Sequence, residues 1–214
     1  MGENNLKKRI RNAQCREKIM SAEEAASFIR PGMTIGSSGF TPAGYPKMIP
    51  AALAKRAEAG EKLDLTLLTG ASTGDEMDGV LARAGVIRRR IPYQTNKDLR
   101  DAINRGEISY MDMHLSQLPN WVKNGYLGKV HVAVVEATAI DENGNIIPTT
   151  SVGCANTYVA CADQVIVEIN TTQPLELEGI HDIYSPKKAP DTEPIPITKT
   201  EDRIGTTYIP CTPD

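Results

Sequence analysis

Gly36-Ser37-Ser38-Gly39-Phe40-Thr41-Pro42-Ala43-Gly44-Tyr45-Pro46 is the most informative stretch of this sequence. It follows a short apolar run, Met33-Thr34-Ile35, and precedes residues 47–59, in which apolar side chains recur at a helical spacing. Pro46 is expected at the first position of that helix, where its missing N–H costs nothing. The stretch is therefore predicted to be the loop between a strand and a helix.

The composition of this loop favours contact with a ligand. Gly36, Gly39 and Gly44 carry no Cβ, so their backbone N–H groups can lie bare beside a bound group. The helix N-terminus downstream adds a partial positive charge, which makes the loop a candidate cradle for an anion or an acyl oxygen. The alternative is a tight turn that needs positive φ. The spacing matches neither a phosphate-binding P-loop nor the dinucleotide motif Gly-x-Gly-x-x-Gly.

A second loop of small residues, Gly70-Ala71-Ser72-Thr73-Gly74, follows the apolar run Leu65–Thr69, which is predicted to be a strand. Because parallel strands end at one edge of a sheet, both loops are expected to lie together at the carboxyl edge. Four hydroxyls could donate to a carboxylate or an oxyanion there, or could instead cap the next helix. They belong to Ser37, Ser38, Ser72 and Thr73.

The rest of the chain alternates short apolar strands with capped helices, which predicts an α/β fold with an open, three-layer, mainly parallel sheet. Ser21 with Glu24 forms a capping-box pattern, and Asn96 is expected to cap a helix that Gly106 closes. Residues 130–135 give the strongest strand prediction, and the Asn-Gly turn at 141–145 predicts a hairpin after it.

Three further segments carry specific expectations. Residues 87–91 are predicted to be an exposed edge strand because they contain Arg88-Arg89-Arg90, which alternatively could attract phosphates. Trp121 is expected to anchor a broken helix around Pro119. Gln164–Ile169 is predicted to be a buried strand.

The pattern changes after Asn170. Seven of the fourteen prolines fall between Pro174 and Pro213, and apolar periodicity fades. We therefore predict an α/β domain over residues 1–170, and over 171–214 a Pro-rich extended arm or a connection to further sequence.

Composition excludes several classes of function. A net charge of -3 over 214 residues and a pI near 5.7 give no electrostatic reason to bind nucleic acid or an anionic membrane. No apolar run approaches the ~20 residues of a membrane span, and the polar N-terminus is not expected to be a secretory signal. The four cysteines lack Cys-x-x-Cys spacing and the three histidines are dispersed, so no metal site is expected. Reduced thiols fit a cytoplasmic protein.

No residue of this chain is predicted to be a catalytic nucleophile. Ser72 and Ser151 lack the Gly-x-Ser-x-Gly elbow. His131 and His181 are expected to serve packing. Glu136 and Glu168 each interrupt an apolar strand, and we expect them to bond neighbouring backbone or an arginine rather than to react.

The spacing Gly39-Phe40-x-x-x-Gly44-x-Pro46 resembles the first signature of the family I coenzyme A transferases, in the acetyl-CoA hydrolase/transferase branch typified by succinyl-CoA:acetate CoA-transferases. The resemblance runs from about Arg9 to Gly205. It is carried by five further stretches: Arg9-Ile10-Arg11-Asn12, residues 69–74, Val135-Glu136-Ala137-Thr138-Ala139-Ile140, Ser151-Val152-Gly153 and Glu178-Gly179-Ile180-His181-Asp182-Ile183.

The resemblance implies a sheet of the CoA-transferase type and a reaction that moves CoA between an acyl-CoA and a small carboxylate such as acetate or succinate. Coenzyme A would be a co-substrate, with no other cofactor. Members of the family fuse two similar halves, and a glutamate in the second half forms a CoA thioester. The resemblance therefore implies that this chain alone is inactive, that its partner is the C-terminal half of the same enzyme, and that the full-length protein is a homo-oligomer, such as a homodimer.

The resemblance also implies a set of substrate-binding residues, with Ser72 and Thr95 in the small-carboxylate pocket. Two other functions stay open. An acetyl-CoA hydrolase would let water intercept the thioester, and a non-catalytic CoA- or carboxylate-binding subunit would need a partner bearing the glutamate. The expected substrate-binding residues are Gly36, Ser37, Ser38, Gly39, Phe40, Gly44, Gly70, Ser72, Thr73 and Thr95.

Overall fold

The computed structural model describes residues 3–213, which form eight α-helices and seven strands within that range. The first half contains α1 (Glu3–Arg9), α2 (Ala13–Glu17), α3 (Ala22–Ser27), β1 (Thr34–Gly36), α4 (Met48–Glu58), β2 (Leu65–Leu68), a π-helical turn (Asp75–Gly79), α5 (Val80–Arg83), β3 (Ile87–Ile91) and α6 (Lys97–Asn104). The second half contains β4 (Ser109–Tyr110), α7 (Leu118–Lys123), β5 (Val130–Ile140), β6 (Ile146–Pro148), α8 (Ala155–Cys161), β7 (Ala162–Ile169) and a 3-10 turn (Leu175–Leu177).

The seven strands form one mostly parallel sheet, as the alternation of strands and helices predicts. Its order is β4-β3-β2-β1-β5, and both β6 and β7 pair with β5. β7 runs parallel to the stretch Val130–Glu136, whereas β6 runs antiparallel to Ala137–Ile140 and completes the predicted hairpin. β1 lies between β2 and β5, so the loop that follows β1 leaves from the middle of the sheet.

The helices cover both faces of this sheet, because alternate side chains of each strand point to opposite sides. One buried cluster joins α3, α4, α5 and α6 to residues such as Ile35, Leu67 and Val132. The other joins α7 and α8 to residues such as Leu68 and Val135. The prediction of an α/β fold with a mainly parallel sheet is confirmed.

Local capping signals are confirmed where they depend on neighbours in sequence. The Ser21 side chain accepts from the Glu24 N–H while the Glu24 carboxylate accepts from the Ser21 N–H, which is the predicted capping box. Asn96 caps α6 through the Leu99 N–H. The helix predicted over residues 47–59 begins at Met48, so Pro46 precedes it rather than occupying its first position.

Three expectations about exposure are wrong. β3 is not an edge strand, because it pairs with β2 on one side and β4 on the other. Trp121 is 37% exposed and meets the edge of the Tyr126 ring, while Leu118 and Val122 anchor α7. β7 is half-buried rather than buried, because β5 is its only partner strand within residues 3–213.

Residues after Asn170 pack back on the domain with little regular structure. Ile209 pairs with Ile146 and is fully buried, and Ile183 pairs with Thr206. The buried guanidinium of Arg9 donates to the Thr138 carbonyl at 2.9 Å and to the Gln173 carbonyl at 2.6 Å. The division at residue 170 stays a prediction.

Among residues 3–213, every helix is too short or too polar to cross a lipid bilayer.

Candidate functional site

The two small-residue loops leave the same edge of the sheet and touch each other. Gly36 at the end of β1 lies opposite Leu68 at the end of β2. Beyond these ends, the Thr41 N–H donates to the Ser72 carbonyl at 3.1 Å, and the hydroxyls of Thr41 and Ser72 lie 2.9 Å apart. The expectation that both loops meet at the carboxyl edge is confirmed, and the contacts make them one structural unit.

The serines of the first loop are buried and hold the loop in place. Ser37 donates from its hydroxyl to the Val134 carbonyl of β5 at 2.8 Å. The Ser38 hydroxyl accepts from the Cys154 N–H at 2.9 Å, at the start of α8. Both side chains are 1% exposed. Neither hydroxyl caps α4, the next helix along the chain, so the capping alternative is wrong for these two serines.

The glycines of the first loop are needed because neighbouring groups leave no room for a side chain. A Cβ at Gly36 would overlap the Tyr158 ring, and one at Gly39 would lie 2.7 Å from the Ala43 carbonyl oxygen. Gly44 has φ of +67°, and a Cβ there would overlap the Ser151 hydroxyl. These contacts support the tight-turn interpretation of the loop. Phe40 and Ala43 exchange backbone hydrogen bonds across the turn, and Phe40 is 63% exposed.

The second loop packs against the first and carries a buried hydroxyl that is available to a ligand. Gly70 has φ of +127°, and a Cβ there would lie 3.1 Å from the Ser38 hydroxyl. Ser72 is fully buried. Thr73 is 3% exposed, and its hydroxyl has no hydrogen-bond partner among the described residues. An unpaired buried polar atom is costly, so this hydroxyl is the strongest hint of a bound group at the edge.

A buried ion pair connects the second loop to the loop that follows β3. Arg90 and Asp78 are both fully buried, with the Arg90 Nε donating to Asp78 Oδ1 at 2.9 Å. Asp78 Oδ2 also accepts from the Thr73 N–H at 3.1 Å, while Arg90 donates to the Pro92 carbonyl at 2.9 Å. For Arg90, the expectation of a solvated or phosphate-attracting side chain is therefore wrong.

Thr95 lies exposed in the loop that follows β3, four residues beyond Ile91. Because β3 is parallel to β2, this loop leaves the same edge of the sheet as the two small-residue loops. The structure thus brings all ten expected substrate-binding residues to one edge. Within it, Phe40 and Thr95 are exposed, while the serines and Thr73 are buried.

A third loop, between β6 and α8, completes this edge and was not placed there from sequence. Ser151 donates from its hydroxyl to the Ala43 carbonyl at 3.0 Å, and a Cβ at Gly153 would overlap the Ser38 hydroxyl. In the sequence, Ser151-Val152-Gly153 contributes to the family resemblance but predicts no position in the fold. The contacts of Ser151 hold the turn at Gly44 in place.

Glu136 and Glu168 lie side by side on β5 and β7 and share Lys47. Glu136 is 2% exposed and accepts from Lys47 Nζ at 2.8 Å and from the Thr149 hydroxyl at 2.7 Å. Glu168 accepts from the backbone N–H groups of Lys47, Met48 and Ile49, so it caps the N-terminus of α4. The expected backbone partners of Glu168 are confirmed, whereas the cation beside Glu136 is a lysine rather than an arginine.

Tyr45 and Glu76 form a hydrogen-bonded pair beside these loops. Burial, followed by the hydrogen bond to Glu76, raises the pKa of the Tyr45 phenol well above its usual value. The same hydrogen bond lowers the pKa of the Glu76 carboxyl. Tyr45 therefore stays a neutral donor and Glu76 a carboxylate at neutral pH, so neither group is set up to exchange a proton there.

His131 and His181 form hydrogen bonds with backbone groups, and His131 is half-buried rather than part of the core. His131 Nδ1 accepts from the Thr34 N–H at 3.0 Å, and His181 Nε2 lies 2.7 Å from the Thr149 carbonyl oxygen. No cluster of three or more His, Cys, Asp or Glu residues suited to a metal ion occurs within residues 3–213.

The comparison with protein families matches residues 3–214 to the model described as the acetyl-CoA hydrolase/transferase N-terminal domain. The chain belongs to this family. Within the acetyl-CoA hydrolase/transferase family, it is 53% identical over 205 residues to a protein named succinyl-CoA:acetate CoA-transferase from Clostridium kluyveri, covering 95% of this chain and 38% of that protein. It is 39% identical over 218 residues to an acetyl-CoA hydrolase from Schizosaccharomyces pombe, covering 97% of this chain and 42% of that protein.

This domain of the acetyl-CoA hydrolase/transferase family thus spans about two fifths of the length of these relatives. Its fold is also similar to the crystal structure of glutaconate coenzyme A-transferase from Acidaminococcus fermentans. That likeness has a TM-score of 0.54 at 15% identity and covers 71% of this chain and 68% of that one. At this identity the likeness concerns the fold alone. The family match and the two relatives agree with the resemblance found in the sequence, and the solved structure agrees with the expected fold.

Proposed function

We propose that this chain is the N-terminal domain of a CoA transferase that moves CoA between an acyl-CoA and a small carboxylate of the acetate or succinate type. The observation that carries the proposal is the 53% identity, across 95% of the chain, to a succinyl-CoA:acetate CoA-transferase. The matched region is 38% of that relative, so the reaction is proposed for a longer protein in which this domain occurs.

The proposed reaction runs through a glutamate that lies outside this chain. Its carboxylate attacks the acyl-CoA carbonyl and expels CoA thiolate, which leaves a mixed anhydride. The thiolate then attacks the glutamyl carbonyl and releases the first acid as a carboxylate, giving a glutamyl-CoA thioester. A second carboxylate reverses these steps, leaves as its own CoA thioester and restores the glutamate. Covalent relay of this kind divides one difficult exchange into easier steps.

This domain would supply the donors and walls around that carboxylate. The loops after β1, β2 and β3 lie at one edge, and the Thr73 hydroxyl there is buried without a partner among the described residues. A hydroxyl of this kind can donate to a carboxylate or to an oxyanion as its charge develops. The proposed substrate-binding residues are those expected from sequence: Gly36, Ser37, Ser38, Gly39, Phe40, Gly44, Gly70, Ser72, Thr73 and Thr95.

Two alternative functions differ from this transferase in their chemistry. In an acetyl-CoA hydrolase, water would attack the glutamyl thioester in place of the second acid, and the 39% identity to the Schizosaccharomyces pombe hydrolase supports this reading. In a non-catalytic subunit, the domain would only bind CoA or a carboxylate until a partner bearing the glutamate docks.

The location and assembly of the protein are proposals as well. Four free cysteines support a reducing cytoplasm, and homo-oligomerisation follows from the resemblance alone.

The test is a thioester-exchange assay with purified 1–214 and with a longer protein that contains it. Succinyl-CoA with acetate is supplied in one assay and acetyl-CoA alone in a second, and acetyl-CoA and free CoA are measured separately. We expect acetyl-CoA in the first assay from the longer protein and none from 1–214. Free CoA from acetyl-CoA alone, without acetyl-CoA in the first assay, would favour the hydrolase, and no product from the longer protein in either assay would favour the binding subunit. If 1–214 shows turnover and Glu136→Gln or Glu168→Gln abolishes it, the catalytic glutamate lies within this chain and the proposal is contradicted.

A further inference from the structure

β7 presents a free backbone edge along its whole length. The Asn170 N–H donates to the Ala137 carbonyl of β5 at 2.9 Å. Because successive residues of a parallel strand direct their N–H and C=O groups to opposite sides, the even-numbered residues of β7 face β5. The backbone groups of Asp163, Val165, Val167 and Ile169 therefore face away from β5, and no strand within residues 3–213 pairs with that side.

This edge forms the floor of a groove of about 1170 Å³. One wall comes from residues 15–28 and includes the exposed apolar side chains of Ile19, Met20 and Phe28, joined by Met48. Residues 143–146 and 210–213 also line the groove, and Lys18 Nζ donates to the Pro213 carbonyl, so these segments adjoin the first wall. The four apolar side chains of the first wall are 44–59% exposed, which is unusual for residues gathered at one place on a soluble domain.

We propose that this groove is the docking site for an extended, apolar β-strand supplied by the region that full-length relatives carry beyond the matched domain. Unpaired strand edges are templates for another strand, and a strand laid on β7 would satisfy its outward N–H and C=O groups. The apolar wall would receive alternate side chains of that strand. The matched region is only 38–42% of the relatives' length, so the larger part of such a protein is available to supply it.

A second copy of this domain fits the groove less well. Two copies paired through β7 would have to bring two edges together, yet each edge carries beside it the wall of residues 15–28 with 143–146 and 210–213. An edge with such a wall beside it admits one added strand more readily than a second edge that carries the same wall. The inference concerns assembly and does not depend on which reaction the protein catalyses.

The experiment combines the 214-residue chain with the region of the Clostridium kluyveri relative that follows its matched segment, expressed together and then titrated as purified partners. Residue-resolved hydrogen exchange should show the amides of Val165, Val167 and Ile169 exchanging fast in the chain alone and becoming protected in the complex. The amides of Ile166 and Glu168 should be protected in both, because they face β5. Protection confined to other parts of the domain, or no complex, would overturn the proposal.

A matched pair of variants tests the backbone contact directly. Val167→Pro removes one outward N–H, whereas Val167→Ala keeps the N–H and removes most of the same side chain. Val167→Pro should weaken binding at least tenfold and Val167→Ala less than threefold. If both variants weaken binding equally, the proposal is overturned. It is also overturned if the 214-residue chain forms a dimer that Val167→Pro dissociates and Val167→Ala does not. If Val167→Pro does not fold, the exchange pattern of the unmodified chain decides the matter.

Discussion

Arg90 and Asp78 face each other in the interior of the domain, both fully buried, with Arg90 Nε 2.9 Å from Asp78 Oδ1 and a second Arg90 nitrogen 3.0 Å from Asp78 Oδ2. The pair lies between the loops that follow β2 and β3, and it holds both through the Thr73 N–H and the Pro92 carbonyl. The geometry of the candidate site therefore depends on a charge pair that contacts no solvent.

Removing one member of this pair should destabilise the domain strongly. Arg90→Met leaves the Asp78 carboxylate buried without a counter-charge, and we expect a loss of about 3–5 kcal/mol in the free energy of unfolding. Adding Asp78→Asn removes that charge while keeping an acceptor for the Thr73 N–H, so the double variant should recover about 1 kcal/mol or more. Urea denaturation measures both, with Arg88→Met on the exposed neighbour as control. A double variant no more stable than Arg90→Met would contradict this account.

The carboxylate of Glu168 should stabilise α4 from a distant strand. It accepts three backbone N–H groups at the N-terminus of α4, where a negative charge is also favourable. Glu168→Gln should cost about 1–2 kcal/mol and lower Tm by roughly 2–8 °C. Glu17→Gln, at an exposed glutamate of α2, is the control and should leave Tm nearly unchanged. If Glu168→Gln and Glu17→Gln had the same Tm, the contacts of Glu168 would not stabilise α4.

Gly44→Ala should be more destabilising than Gly60→Ala. Both glycines have positive φ, at +67° and +98°, so both substitutions carry the backbone strain of about 1 kcal/mol. A Cβ at Gly60 meets nothing within 4 Å, whereas one at Gly44 overlaps the Ser151 hydroxyl and lies 2.9 Å from the Ser151 nitrogen. The difference in the free energy of unfolding between the two variants isolates the steric cost. Equal losses would show that the loop after β6 moves away freely.

The same substitution tests the site in a longer protein that shows CoA exchange. If the first loop lines the oxyanion position, Gly44→Ala and Gly39→Ala should lower turnover by roughly a hundredfold. Exchange rate and Tm are measured on the same samples. Well-folded variants with unchanged rates would remove this loop from the active site.

Cys154 should make stability depend on alkaline pH. Burial raises the pKa of its thiol from 9.0 to about 11, so between these values the unfolded chain loses this proton while the folded chain keeps it. The stabilising contribution is complete below pH 9 and is lost as pH rises to about 11. The free energy of unfolding should fall more steeply over this range in the unmodified chain than in Cys154→Ala, by on the order of 2 kcal/mol. Parallel slopes would contradict the shift.

The sequence by itself determined the features that depend on neighbouring residues. Ser21 with Glu24 and Asn96 with Leu99 are three residues apart, so their caps follow from the chain alone. The alternation of strands and helices determined the fold class, and parallel strands ending at one edge placed the loops after β1 and β2 together. The motif around Gly39 and Gly44, together with the similar stretches from about Arg9 to Gly205, indicated the family.

Only the tertiary structure decided which side chains those loops use and why. Arg90 looks solvated in sequence because two arginines precede it, yet Asp78, twelve residues away, makes its burial possible. The partners of Ser38 and Glu168 lie 116 and 121 residues away, so no local pattern could reveal them. Hydrogen-bond partners and strand neighbours are set by how the sheet brings distant segments together. For the same reason, the free edge of β7 became visible only once β5 was seen to be its single partner within residues 3–213.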